Sequence, residues 1–120
     1  MILVIGGAYQ GKLDFAKGQF GISEADIHRC GAGEIDFSSR CIYGIEAFTM
    51  GHSDPIGYFK AHKEQWSDSI LICQDIFCGV VPMGAENRAW RQNTGRLCQY
   101  LAKEADQVIR IFCGLEQRLK

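Results

Sequence analysis

Eight residues carry the chain's sharpest chemical signal: Gly6-Gly7-Ala8-Tyr9-Gln10-Gly11-Lys12-Leu13. A glycine, four residues, then Gly-Lys is the spacing of a phosphate-binding loop up to its last position. Small residues let the backbone curl until successive N–H groups face phosphate oxygens, and a helix opening there adds its positive end. Lys12 supplies a mobile positive charge for the terminal phosphates. Position 13 departs from the pattern, which asks for Ser or Thr. That hydroxyl ligates the Mg²⁺ bridging the β- and γ-phosphates, and Leu13 cannot replace it. Phosphate binding therefore survives the departure better than metal-assisted transfer does. The competing reading is a glycine-rich turn that merely joins a strand to a helix, and the flanking residues favour the nucleotide.

Asp75 is the second signal, just past the apolar run Ile70-Leu71-Ile72. An acid at the end of a neighbouring strand can hold or orient Mg²⁺ through water, which makes Lys12 and Asp75 the catalytic candidates and Asp75 the metal candidate. A loop carboxylate that caps a nearby backbone N–H is the alternative. Arg88 and Arg91, three apart on one helical pattern, are candidates to neutralise triphosphate charge. Such arginines also pair with neighbouring carboxylates, so only one is expected to touch ligand. His28, His52 and His62 read as surface or locally satisfied side chains. The six cysteines, at 30, 41, 73, 78, 98 and 113, form no CxxC pair. They are expected as free thiols packed as small hydrophobes, rather than as a zinc site or disulfides.

These residues need a scaffold that brings them to one edge. Ile2–Ile5 reads as a buried parallel strand, followed by the loop and a helix from Lys12 that Gly18 and Gly21 should end early. Residues 26–30 suggest a short strand. From Asp36 the spacing of Ile42, Ile45 and Phe48 predicts a helix, and a second runs from Pro55, at its first turn, to Gln65. Ser69–Cys73 is another buried strand, Gly79-Val80-Val81-Pro82 a loop, and Glu86–Asp106 a long helix with Trp90, Thr94, Leu97, Leu101 and Ala105 on one face. Val108–Cys113 is a further strand, closed by Gly114, and the tail is an edge strand or frays. Alternation of strand and helix implies an α/β fold of the P-loop NTPase kind, a three-layer sandwich around a mostly parallel sheet. Right-handed crossovers place the loops after Ile5 and Cys73 along one edge, where such sheets bind ligands.

Residues 1–120 suit one domain, and a net charge of -1 leaves no basic footprint for nucleic acid. The opening apolar run stops at Gly6-Gly7, with no basic leader. No stretch approaches the roughly 18 apolar residues that span a bilayer. The expected location is the cytoplasm, with no membrane partner.

The chain resembles the adenosylcobinamide kinase/adenosylcobinamide-phosphate guanylyltransferase family, as a shortened and divergent member. GGAYQGK after the first strand is similar to the family's opening. ILICQDIFCGVVP, residues 70–82, is similar to its buried strand, Asn-Glu pair and Gly-Ile-Val-Pro segment, with Gln74-Asp75 standing for the pair. Asn87-Arg88, Arg91, Gly95-Arg96 and Gln99 resemble a family helix, and Ala105–Val108 with Cys113-Gly114-Leu115 resemble its closing strand. The resemblance implies ATP or GTP with Mg²⁺, and a corrinoid (cobinamide) whose aminopropanol hydroxyl is phosphorylated. In the family, GMP is then transferred through a guanylylated histidine, and the enzyme is commonly a trimer, so a homo-oligomer is expected. The family's histidine-bearing helix has no counterpart here, so that covalent role is not carried to His28, His52 or His62. Leu13 and the altered segment Met83–Glu86 leave a second reading: a nucleotide-binding or corrinoid-responsive module without turnover.

Overall fold

The computed structural model describes residues 1–76 and 84–120. Its centre is β1 (Ile2–Gly6), flanked by β4 (Ile70–Gln74) and β5 (Gln107–Phe112), both parallel to it. Outside β4 lie β3 (Cys41–Tyr43) and β2 (Ile27–Arg29), also parallel, and outside β5 lies β6 (Leu115–Arg118), antiparallel. The order across the six-stranded sheet is β2-β3-β4-β1-β5-β6. Gly6 is in register with Gln74 on one side and Ile111 on the other, so the strand ends around β1 finish in one row.

Strand alternation divides the apolar side chains between two cores. Leu3, Leu71, Cys73, Ile42 and Val108 face one side. There they pack under α2 (Ile45–Met50), α3 (Pro55–Ala61) and α5 (Ala85–Glu104), through Phe48, Phe59, Leu97 and Leu101. Val4, Ile72, Cys41, Ile109 and Ile111 face the other side, against Ala16, Leu13 and Phe20 of α1 (Lys12–Phe20). A helix layer on each face of a mostly parallel sheet is the three-layer α/β architecture that the alternating pattern predicts.

Three element readings change. The helix expected from Asp36 starts only at Ile45. Asp36 instead forms a turn, accepting from Ser38 N at 3.1 Å, and Cys41–Tyr43 is a strand. Ile42, Ile45 and Phe48 do share one core, but a strand residue and two helix residues reach it from different elements. The helix from Pro55 breaks at His62, whose ring Nδ1 meets Tyr58 O at 2.8 Å, and resumes as α4 (Lys63–Trp66). Its start is as expected: Asp54 caps it by accepting from Gly57 N at 3.1 Å, with Pro55 in the first turn. Finally, α1 runs through Gly18 and stops at Gly21, which takes the left-handed conformation (φ 64°). One glycine in a helix costs about 1 kcal/mol, and the apolar face of α1 on the sheet outweighs that.

The tail is the edge strand β6. The expected loop at 79–82, with Cys78 and Met83, lies outside the described residues.

Candidate phosphate-binding site

The polypeptide leaves β1 at Gly6 and enters α1 at Lys12, so residues 7–11 form the connecting loop. Gly6 has no room for a side chain: a Cβ there would lie 2.6 Å from the Ile111 carbonyl oxygen and 3.3 Å from Lys12 Cγ. Gly11 precedes the helix at φ 90°, a region that side chains rarely tolerate. Tyr9 takes φ 59° despite its side chain, and that ring is fully exposed at the loop tip. A strained non-glycine residue of this kind persists only where the surroundings impose it. The imposition comes from Gln10. Its carbonyl accepts from Gly114 N at 2.9 Å and its side-chain oxygen accepts from Cys113 N, which ties the loop to the turn between β5 and β6.

The loop is curled, and a cleft of about 550 Å³ opens over it, lined by Ala8–Asp14 together with Tyr43 and Gln74. Lys12 is 7% exposed and donates to Gly7 O at 2.7 Å, so its ammonium folds back into the loop. Burial holds the Lys12 pKa below the ordinary lysine value, opposed by Glu46, Cys73 and Asp75. The Cys73 thiol, in contact with Cys98 and fully buried, titrates far above its usual range, so at neutral pH it carries no charge. The carboxyl groups that oppose the shift are those of Glu46 and Asp75.

Asp75 is joined to the loop through its backbone, whose N–H donates to Gly6 O at 2.7 Å. Its Oδ1 is buried and, among the described residues, has no hydrogen-bond partner. A buried carboxylate oxygen without a donor suits a cation, and oxygen donors are what Mg²⁺ takes. Leu13 offers no such donor; it packs against the core under α1 and is among the residues lining the cleft. Among the described residues, no three His, Cys, Asp or Glu side chains converge as a metal centre.

Glu46, in the first turn of α2, is the residue that the sequence reading missed. Its Oε1 accepts from the backbone N–H of Gln74 at 2.8 Å, and its carbonyl accepts from Trp90 Nε1 at 2.8 Å and from Thr49 Oγ1 at 3.0 Å. Trp90 Nε1 also reaches Thr49 Oγ1 at 3.1 Å, and Thr49 meets Thr94 hydroxyl to hydroxyl at 2.6 Å. This buried network clamps α2 to α5 and sets Glu46 beside the strand end. A lone acid two residues after a glycine carries no motif; the one sequence hint is its place behind the apolar run Cys41-Ile42-Tyr43.

The structure thus brings residues 6–13, Gln74 and Asp75 together. Arg88 and Arg91 occupy the first two turns of α5, and the described lining of the loop cleft contains neither. The histidines also lie elsewhere. His28 is on β2, His52 stacks on Phe48 with centroids 3.9 Å apart, and His62 stacks on Phe37 at 5.3 Å. Among the described residues the cysteines at 30, 41, 73, 98 and 113 are free. Burial pushes the Cys30 thiol up to about 12 and Cys41 to about 11, as expected of inert packing groups. No helix among the described residues is long and apolar enough to cross a membrane.

The profile of the family described as cobinamide kinase / cobinamide phosphate guanyltransferase matches residues 55–119, more than half of the chain. Asp75 and α5 lie inside the matched stretch, and the loop at residues 6–13 precedes it. No curated relative matches the chain.

Proposed function

Because the chain belongs to the cobinamide kinase / cobinamide phosphate guanyltransferase family, we propose that it binds ATP or GTP and transfers the terminal phosphoryl group to a corrinoid side-chain hydroxyl. The six-stranded, mostly parallel sheet agrees with the phosphate-loop fold of that family. The observation that carries the proposal is the curled loop at residues 6–12, open to a cleft, with a buried lysine ammonium at its base and Asp75 bonded to its first residue.

In this reading the loop amides and the start of α1 receive the phosphate oxygens, and Lys12 turns from Gly7 O to the terminal phosphates. Asp75 is the residue that would hold Mg²⁺, which supplies charge neutralisation between the phosphates when bound. The hydroxyl oxygen attacks the γ-phosphorus in line as the bond from that phosphorus to the bridging oxygen breaks; the nucleoside diphosphate leaves with the electron pair, and the hydroxyl proton passes to solvent water. Positioning and charge carry most of the rate in such transfers. Guanylyl transfer is not included, since no described histidine lines the cleft. The homotrimer and the corrinoid partner belong to the same proposal and rest on family likeness.

Incubating the protein with GTP or ATP, Mg²⁺ and cobinamide should yield phosphorylated corrinoid. Nucleotide binding without product would support the second reading, a binding module without turnover. Leu13, packed on the core where a metal-ligating hydroxyl belongs, is the observation in its favour. A covalent guanylyl adduct seen by intact mass would overturn the exclusion of the histidines.

A further inference from the structure

We propose that the turn of the β5–β6 hairpin, Cys113-Gly114, is a working part of the nucleotide site, and that Gln10 is the positioning residue through which it acts. The turn holds the loop in the curl that receives the phosphates before any nucleotide arrives. The proposal rests on the nucleotide reading above and adds to it two residues that no loop motif contains.

Phe112 pairs with Leu115, so Cys113 and Gly114 alone make the turn, and both take positive φ, 51° and 76°. That is the type I′ hairpin turn, which favours Asn-Gly and in which a cysteine is out of place. Such a turn leaves its two central N–H groups outside the ladder. Gln10 accepts from both of them: its side-chain oxygen from Cys113 N, and its carbonyl from Gly114 N at 2.9 Å. The turn also lies directly against the loop, since a Cβ on Gly11 would sit 3.6 Å from Gly114 Cα. Gln10 stands between the two left-handed residues of the loop, Tyr9 at φ 59° and Gly11 at φ 90°. Alternation of left-handed and ordinary backbone is what makes successive N–H groups converge on an anion. That shape relaxes where nothing imposes it, and a ligand that must restore it binds more weakly. Two hydrogen bonds to a turn outside the loop keep the shape ready. With its oxygen engaged by Cys113, the Gln10 side chain acts on the backbone curl rather than on the ligand.

Gln10→Met keeps the length of the side chain and removes the acceptor for Cys113 N–H. Cys113→Asn puts into the turn a residue that tolerates positive φ. For the full chain one would measure amide hydrogen exchange without ligand, the melting temperature, and GTP affinity by titration calorimetry. In Gln10→Met the Cys113 amide should exchange about tenfold faster, and GTP should bind about tenfold more weakly, the loss expected for one hydrogen bond. Cys113→Asn should raise the melting temperature by roughly 2–4 °C and tighten GTP binding by about twofold. In the double variant the gain in melting temperature should persist while the gain in affinity disappears, a coupling that a purely structural role of Gln10 would not produce. An affinity gain that survives in the double variant overturns the inference, and so does a GTP affinity or a Cys113 exchange rate unchanged in Gln10→Met. GTP that fails to bind the parent chain overturns the nucleotide reading, and the inference falls with it. The two failures are told apart because the second is seen in the parent alone, while the exchange measurement needs no ligand.

Discussion

The backbone N–H of Asp75 donates to the carbonyl of Gly6 at 2.7 Å, one step beyond the last paired residues of β4 and β1. The parallel ladder thus continues past the sheet, and the acid and the loop after β1 are placed by one hydrogen bond rather than by two independent loops. Any change at Gly6 moves both.

Gly6→Ala should show this directly. Its Cβ would meet the Ile111 carbonyl oxygen at 2.6 Å, and a backbone atom cannot rotate away. The expected loss is about 2 kcal/mol. For a domain of this size that is a melting temperature lower by roughly 8 °C. Calorimetry checks it, and a wild-type melting temperature would contradict the close approach.

Lys12 gives opposite signs for binding and stability. Its folded pKa lies below that of an unfolded lysine because burial disfavours the charged form. Between the two values the unfolded chain holds more protons, so this residue's contribution to stability increases as pH rises through that window. GTP affinity should fall over the same window as the ammonium is lost. Lys12→Met should bind GTP about tenfold to a hundredfold more weakly near neutral pH, with no alkaline limb of its own. Titration calorimetry across pH, with denaturation curves at the same values, tests both signs.

Leu13→Thr returns a hydroxyl to the start of α1. Mg²⁺ should then strengthen GTP binding by about tenfold relative to its effect on the parent chain. The lost packing on the α1 face of the sheet should cost about 1 kcal/mol. A Mg²⁺ effect equal in the two proteins would show that position 13 does not limit metal binding.

Thr94→Val keeps the volume of a fully buried side chain and removes two hydrogen bonds, the donation to Trp90 O at 2.8 Å and the contact with Thr49. The expected cost is about 1–2 kcal/mol in urea denaturation. Because the same network holds Glu46, GTP affinity should weaken as well, and an unchanged affinity would mean that α2 keeps its place without the clamp.

Much of this architecture was legible because the central strands are continuous apolar runs. Ile70–Cys73 is buried throughout and Ile2–Ile5 is buried or half-buried, the pattern of an interior parallel strand, and Val108–Ile111 is apolar and buried apart from the exposed Arg110. The loop between β1 and α1 was legible because Gly6 and Gly11 stand where a Cβ would collide or where φ is positive. The region 36–48 was not, since Ile42, Ile45 and Phe48 stand three apart and imitate a helix while belonging to two elements. Glu46 was hidden for a related reason. Its contact is with Gln74, remote in sequence, and only the parallel pairing of β3 with β4 brings the two together.

Gln10 holds the tip of the loop to Cys113 and Gly114, at the bend of an outer hairpin whose Phe112 and Leu115 stand mostly in solvent. That hairpin works as an outrigger. Two hydrogen bonds therefore carry any displacement of that hairpin to the curled loop after β1, so the far margin of the sheet is mechanically joined to its centre.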